Sequence, residues 1–471
     1  MIKRTIKQIA EMSGAKWNGN HAELQVTGVT TDSRKAGAGQ LFIPLVGEQF
    51  DGHEYLEQAV NNGVAAALWQ KGREVPEALA DFPLLIVGDT LVALQRLATA
   101  YRSELVVRVV GITGSNGKTT TKDMTAAILS TTYKVHKTEG NLNNQIGLPL
   151  TVLQLEEDTE VAVLEMGMSG FGEIELLTKI AQPDAAIITN IGEAHLLHLG
   201  SKAGIAKAKL EIALGLSEEG LLLYNGDEPL LEAELKQAIL PSGIIQRTFG
   251  LSERNEWSAV DIVLSSEATV FTAVYNGMPS ALGSVSIPVP GQHNVSNALA
   301  AIAVSRFFGV PASKVAEGLS SLKLTGMRIQ PVRAYNGAMI LNDAYNANPT
   351  AVRAAIDLVE HLKGYSRKWI VLADMLELGS EEQELHFQVG AYISPSKADA
   401  VLTFGPLSQQ TFEGARSRFI GSAAEEMIQH FEDKEKLAAW LRSKLEPSDI
   451  VLIKGSRGMR MEQIVQALEV G

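Results

Sequence analysis

The residues Gly111-Ile112-Thr113-Gly114-Ser115-Asn116-Gly117-Lys118-Thr119 have the types and spacing needed to hold a phosphate chain. They follow the apolar run Leu105 to Val110 and precede Thr120 to Leu129, a segment that can run as a helix. A glycine-rich turn between strand and helix aims several backbone N–H groups, and the positive end of the helix dipole, at one anion. Lys118 adds a mobile positive charge, the Thr119 hydroxyl a ligand for Mg²⁺, and Thr113 to Thr120 the rest of the cradle. The expected ligand is a nucleoside triphosphate. Ile112 stands where the common G-x-x-x-x-G-K-[ST] form has its first glycine, and the glycines fall at 111, 114 and 117. That departure counts against an ordinary P-loop kinase or GTPase.

Three more polar residues stand near the ends of apolar runs. Glu165 follows Val161-Ala162-Val163-Leu164, where a carboxylate can hold Mg²⁺ or simply cap a helix. His195 follows the run Ala185 to Ile188; histidine is an unusual Mg²⁺ ligand, so the ordinary reading is a satisfied loop residue. Lys209, in the helical segment Gly204 to Ile212, reads by itself as a solvated lysine.

The elements that must position these groups follow from pattern and composition. A chain of 471 residues is expected to hold about three domains. Short apolar strands alternate with helical segments from Glu104 to about Leu324, predicting a doubly wound parallel sheet with the nucleotide at the carboxyl ends of its strands. Between Trp257 and Pro290 the alternation predicts antiparallel strands inserted beside that sheet. After Gly326 the rhythm restarts, giving a smaller α/β unit. The proposed division is 1–102, 103–325 and 326–471.

With no cysteine, disulfides, thiolate catalysis and cysteine-ligated zinc are excluded. A net charge of −13 argues against a nucleic-acid partner, because phosphate backbones are held by clustered Lys and Arg. No apolar stretch is long enough to predict a membrane span and no signal peptide is read, so a cytoplasmic protein is expected.

The phosphate cradle, Thr138 to Pro149, the Glu165-Met166-Gly167-Met168 turn, Asn190 to His195, Gln292 to Ala301 and Asp343-Ala344-Tyr345-Asn346-Ala347-Asn348-Pro349 together resemble the Mur ligase family in order and spacing. The resemblance implies three α/β domains. The first is a UDP-substrate-binding domain, the second a P-loop-type, mostly parallel ATPase domain, and the third a Rossmann-like domain that closes over the nucleotide. The implied activity is ATP-dependent, ADP-forming amide synthesis through an acyl phosphate. Within the family, the cradle and the Asp343 to Pro349 string resemble the branch that joins D-alanyl-D-alanine to a UDP-N-acetylmuramoyl-tripeptide for peptidoglycan. The branch adding the third amino acid typically has His at the position of Asn346 or Asn348. Alternatives are that branch, a folylpolyglutamate synthase, or a P-loop ATPase without ligase activity.

Roles implied by the resemblance fall on matched positions. Lys118, Glu165, His195 and Lys209 are the catalytic set. ATP would be held by Thr113, Gly114, Ser115, Asn116, Gly117, Lys118, Thr119 and Thr120, with Asn297 facing adenine and Arg328, Asp343, Tyr345 and Asn346 approaching from the C-terminal side. Two Mg²⁺ ions would be bound by Thr119, Glu165, His195 and Lys209, the last as a CO₂-derived carbamate. Ser33, Arg34, Asn143 and Asn144 are the candidates for the UDP-linked substrate. The expected partners are these small molecules alone, with the enzyme a monomer. Lys454-Gly455-Ser456-Arg457, read from the sequence itself, suits a substrate carboxylate or is a plain basic turn.

Overall fold

The β-branched and leucine-rich runs become the strands of four sheets in the computed structural model, which describes residues 1–421 and 425–469. Strands β1 (Lys3–Thr5) and β2 (Gln25–Thr27) pair antiparallel. Strands β3 (Val29–Thr30), β4 (Leu41–Phe42), β5 (Ala66–Gln70) and β6 (Leu84–Val87) form a small parallel sheet. The helix Thr90–Glu104 follows, with Asp89 accepting from Val92 N at its start. That helix is built into what comes next: Tyr101 Oη donates to Leu155 O at 2.8 Å and Arg102 Nε to Ala181 O at 2.8 Å. The Leu105 to Val110 run therefore becomes a strand only from Arg108, and Val106 is left 98% exposed in the connection.

The central sheet contains β7 (Arg108–Thr113), β8 (Val135–Lys137), β9 (Val161–Glu165), β10 (Ala185–Ile188), β11 (Leu221–Asn225), β12 (Ile245–Phe249), β13 (Trp257–Leu264), β14 (Thr269–Tyr275) and β15 (Met278–Ile287). Their order is β15-β14-β13-β12-β11-β10-β7-β9-β8, parallel from β8 to β13 and antiparallel at the β15 end. The expectation of antiparallel strands beside the sheet is corrected here, because Phe249 pairs with Trp257 and the strands extend the sheet itself. Apolar clusters bury both of its faces, as parallel strands require. One of them runs on into the N-terminal unit through Leu94, Leu97 and Tyr101.

The last sheet is formed by β16 (Gln330–Arg333), β17 (Met339–Asp343), β18 (Lys368–Ala373), β19 (Ala400–Phe404), β20 (Ile428–Phe431) and β21 (Ile450–Lys454), in the order β16-β17-β21-β18-β19-β20. Only the β16 pair is antiparallel. The architecture is the three-part α/β one expected, with helices on both faces of the central sheet. Among the described residues no helix is long and apolar enough to cross a membrane.

Candidate active site

The phosphate loop joins β7 to the helix Lys118–Leu129, and its geometry explains its glycines. Gly114 has φ +147°, and a Cβ there would lie 1.8 Å from Thr189 Oγ1; Gly117 has φ +78°, and a Cβ would lie 2.5 Å from Asn297 Oδ1. The loop is held from the carboxyl end of β10: Ser115 N donates to Asn190 O and Asn116 N to Asn190 Oδ1, while Thr189 Oγ1 donates to Asn116 O. Lys118 Nζ folds back onto Gly114 O at 2.8 Å. Burial lowers its pKa, against the pull of Glu165 and with the help of Arg328.

Neighbouring strands bring the other groups. Thr119 Oγ1 donates to Glu165 Oε2 at 2.8 Å, and Asn143 Nδ2 to Glu165 Oε1 at 2.9 Å, so the buried carboxylate bridges phosphate loop and Asn143. His195 has φ +65° and starts a four-residue helix. Its Nδ1 lies 3.0 Å from Glu377 Oε2, an ion-pair distance, yet the angle makes no hydrogen bond. Burial, Lys118 and Lys209 push its pKa down, favouring neutral imidazole. Lys209 is only 2% exposed and has no hydrogen-bond or ion-pair partner among the described residues, which overturns the solvated reading. Burial, then Lys118, lowers its pKa well below the ordinary lysine value.

The third unit supplies the opposite wall. Arg328 lies over the Tyr345 ring at 4.0 Å, with its Nε unpaired. Asp343 Oδ2 pairs with Lys454 Nζ at 2.6 Å and Oδ1 accepts from Ile329 N, while Lys454 also donates to Asn346 O. One cavity of about 840 Å³ is lined by Ser115 to Thr120, Glu165, His195, Lys209, Asn297, Arg328, Asp343, Tyr345 and Asn346 together. A volume of that size suits a nucleotide with part of a second substrate.

Comparison with known proteins agrees with this arrangement. Residues 25–102 match the Mur ligase family, catalytic domain, residues 112–305 the Mur ligase middle domain, and residues 327–457 the Mur ligase, glutamate ligase domain. The chain belongs to the Mur ligase family. It is 50% identical over 469 residues, 99% of each protein, to UDP-N-acetylmuramoyl-tripeptide--D-alanyl-D-alanine ligase of Bacillus subtilis (strain 168). A crystal structure of MurF from Acinetobacter baumannii matches with a TM-score of 0.87 at 29% identity, over 100% of this chain and 99% of that one. MurF ligase of Thermotoga maritima in complex with ADP matches with a TM-score of 0.81 at 28% identity, over 94% and 97%.

In this Mur ligase the remaining candidates divide. Asn143 and Asn144 line the main cavity. Thr113 is wholly buried behind the loop, and Gly114 contributes its carbonyl to Lys118. Ser33 and Arg34 are not among the cavity's lining residues: the Ser33 hydroxyl donates inward to Gln58 Oε1 at 2.7 Å, and Arg34, its side chain 80% exposed, is forked onto Asp32. Sequence reading missed His293, Asp227 and Glu228, which also line the cavity, and the pairing of Glu193 with Thr350. Glu193 lies inside the quoted Asn190 to His195 segment, but its partner is 157 residues away.

Proposed function

We propose that this Mur ligase joins D-alanyl-D-alanine to the free carboxylate of a UDP-N-acetylmuramoyl-tripeptide with the cleavage of ATP to ADP and phosphate. The observation that carries the reading is the single cavity in which the phosphate loop, the Thr119–Glu165 pair and unpartnered Lys209 face Arg328 and Asp343 of the third unit. The 50% identical full-length relative narrows the substrates to this acid and amine. The units then divide the work: residues 1–102 for the UDP-linked acid, 103–325 for the nucleotide, and 326–471 for closure and the dipeptide. A need for ATP and a UDP-linked precursor supports a cytoplasmic location for the reaction.

The donor set fits magnesium. Thr119, Glu165 and His195 line one cavity, and His195 Nδ1 makes no hydrogen bond. No three acidic or histidine side chains among the described residues form a metal cluster by themselves, so phosphate oxygens would complete the shell. Thr119, Glu165, His195 and carbamylated Lys209 would hold up to two ions, which supply Lewis-acid neutralisation of phosphate charge. Lys209 suits carbamylation because burial favours its neutral amine; that nitrogen adds to CO₂ and releases a proton, becoming an anion where no other hydrogen-bond or ion-pair partner exists among the described residues.

A carboxylate is a poor electrophile, so the peptide carboxylate oxygen first attacks the γ-phosphorus and ADP leaves. Lys118 and the loop N–H groups balance the charge on the transferred group. The dipeptide amine then attacks the acyl carbon, and phosphate departs as the amide forms and the amine loses its proton. Water would destroy the acyl phosphate, so Arg328, Tyr345 and Asn346 must stay docked over the loop during turnover. The test is ADP release from purified enzyme against a panel of UDP-muramoyl peptides, each with and without D-alanyl-D-alanine. Release that needs the tripeptide and the dipeptide together is expected; equal release in their absence refutes the reading.

A further inference from the structure

The helix Pro349–His361 of the third unit starts at the wall of the nucleotide cavity, and the central unit completes its N-terminal capping. Asn348 is its N-cap, accepting from Ala351 N at 3.0 Å, and Pro349 has no N–H to satisfy. That leaves Thr350 N, which donates to Glu193 Oε2 at 3.2 Å; the Thr350 hydroxyl donates to the same oxygen at 2.5 Å. Glu193 is 5% exposed and sits between Thr350 and Lys202, whose Nζ approaches Oε1 at 2.6 Å, while the preceding residue, Gly192, donates its N–H to Ser115 Oγ of the phosphate loop. Beside this contact the phosphate loop meets the same helix start directly. Asn348 Nδ2 donates to Asn116 Oδ1 at 2.6 Å, and Asn116 Nδ2 lies 3.3 Å from Asn348 Oδ1.

We infer that Glu193 and Asn116 form a docking latch, through which the third unit's arrival over the nucleotide is coupled to the grip of the phosphate loop. Glu193 is a positioning residue. A negative side chain at a helix N-terminus is favoured by the helix dipole and by the unpaired N–H there. When the units separate, Lys202 stays with Glu193 because both belong to the central unit, so the carboxylate is not stranded and the contact is reversible. Thr350 N, by contrast, loses its acceptor. Asn116 backbone is already tied to Thr189 and Asn190 from below; docking adds the only side-chain tie from above among the described residues. The latch therefore holds the loop on both sides only in the docked state.

Thr350→Val, Thr350→Ser, Glu193→Gln and the double variant Glu193→Gln/Thr350→Val, in the full chain, test this. Small-angle scattering with and without a non-hydrolysable ATP analogue reads docking independently of which acid and amine are joined; only the kinetic arm rests on the ligase reading. Hydrogen bonds to a charged group are worth roughly 10- to 150-fold in an equilibrium. Thr350→Val and Glu193→Gln are each expected to cut the docked population about tenfold or more in the presence of the analogue, to lower kcat and to raise the KM for ATP. Thr350→Ser keeps the donor and is expected to behave as wild type, and the double variant to be no worse than the more severe single one, because both weaken the one hydroxyl-to-carboxylate bond, Thr350→Val by removing the donor and Glu193→Gln by removing the charge. Additive losses, or analogue-bound scattering of Thr350→Val that superposes on wild type, would overturn the latch. A failure of tripeptide-dependent ADP release in wild type with the scattering shifts intact would refute the ligase reading alone.

Discussion

Replacing Lys209 by alanine separates its chemical role from any part in holding the fold. Truncation removes three buried methylenes beyond Cβ, about 2.4 kcal/mol of lost transfer energy at ~0.8 kcal/mol each. Relief from burying an amine that lacks an anionic partner offsets part of that loss. The net change is therefore small beside the 5–15 kcal/mol typical of a folded domain, roughly, and Tm should move by only a few degrees. Activity is another matter. Loss of one preorganised charge at the reacting phosphate costs about 10²- to 10³-fold in kcat. The truncated position opens onto the cavity that Lys209 lines, so added formate or acetate should recover activity in Lys209→Ala and leave wild type unchanged. The assay is steady-state ADP release with each carboxylate titrated, alongside thermal denaturation. Full kcat without any carboxylate would remove Lys209 from the mechanism. An unchanged Tm with activity lost and no rescue would refute the anionic-ligand role specifically.

Two other perturbations probe the site and its support. Gly114→Ala forces a Cβ to within 1.8 Å of Thr189 Oγ1 at φ +147°; strain of about 1–3 kcal/mol should weaken ADP binding roughly 5- to 150-fold by calorimetry, and unaltered affinity would contradict the loop geometry. Asp123, buried on the phosphate-loop helix, pairs with Lys137 and accepts from Thr325 N and Oγ1 in the connection to the third unit. Burial would raise its pKa, but Lys122, Lys137 and Thr325 together bring it below the ordinary aspartate value. Its stabilisation is thus complete above about pH 3.9 and is lost as pH falls through the lower folded-state value. Asp123→Asn should cost about 3–5 kcal/mol at neutral pH and flatten that acidic limb of a Tm-against-pH curve; equal stability of variant and wild type at pH 7 would refute it.

The phosphate cradle was legible because its chemistry is local. Glycines, Lys118 and Thr119 lie within nine consecutive residues, and strand and helix periodicity on either side fixes where they point. The same locality made most of the parallel strands readable, since runs such as Ala185 to Ile188 are buried on both faces. Periodicity does not say which strand lies beside which, so the β13 to β15 ribbon was expected next to the sheet rather than as its continuation. Composition likewise gave no sign that the run after Glu104 would start its strand late, because that depends on where the preceding helix docks.

The amino-acid order by itself determined a triphosphate cradle, an α/β chain in several parts and, through the family motifs, most of the residues that line one cavity. Tertiary structure alone decided the state of those residues. Lys209 lies on a helix whose sequence looks solvated, and only packing around it leaves it 2% exposed and without an ion-pair partner among the described residues. Ser33 and Arg34 have the types for a pyrophosphate, and the fold sets the Ser33 hydroxyl against Gln58 and forks Arg34 onto Asp32. Glu193 and Thr350 meet across 157 residues of chain. Burial and partnership are properties of three-dimensional neighbours, and no spacing along the chain encodes them directly.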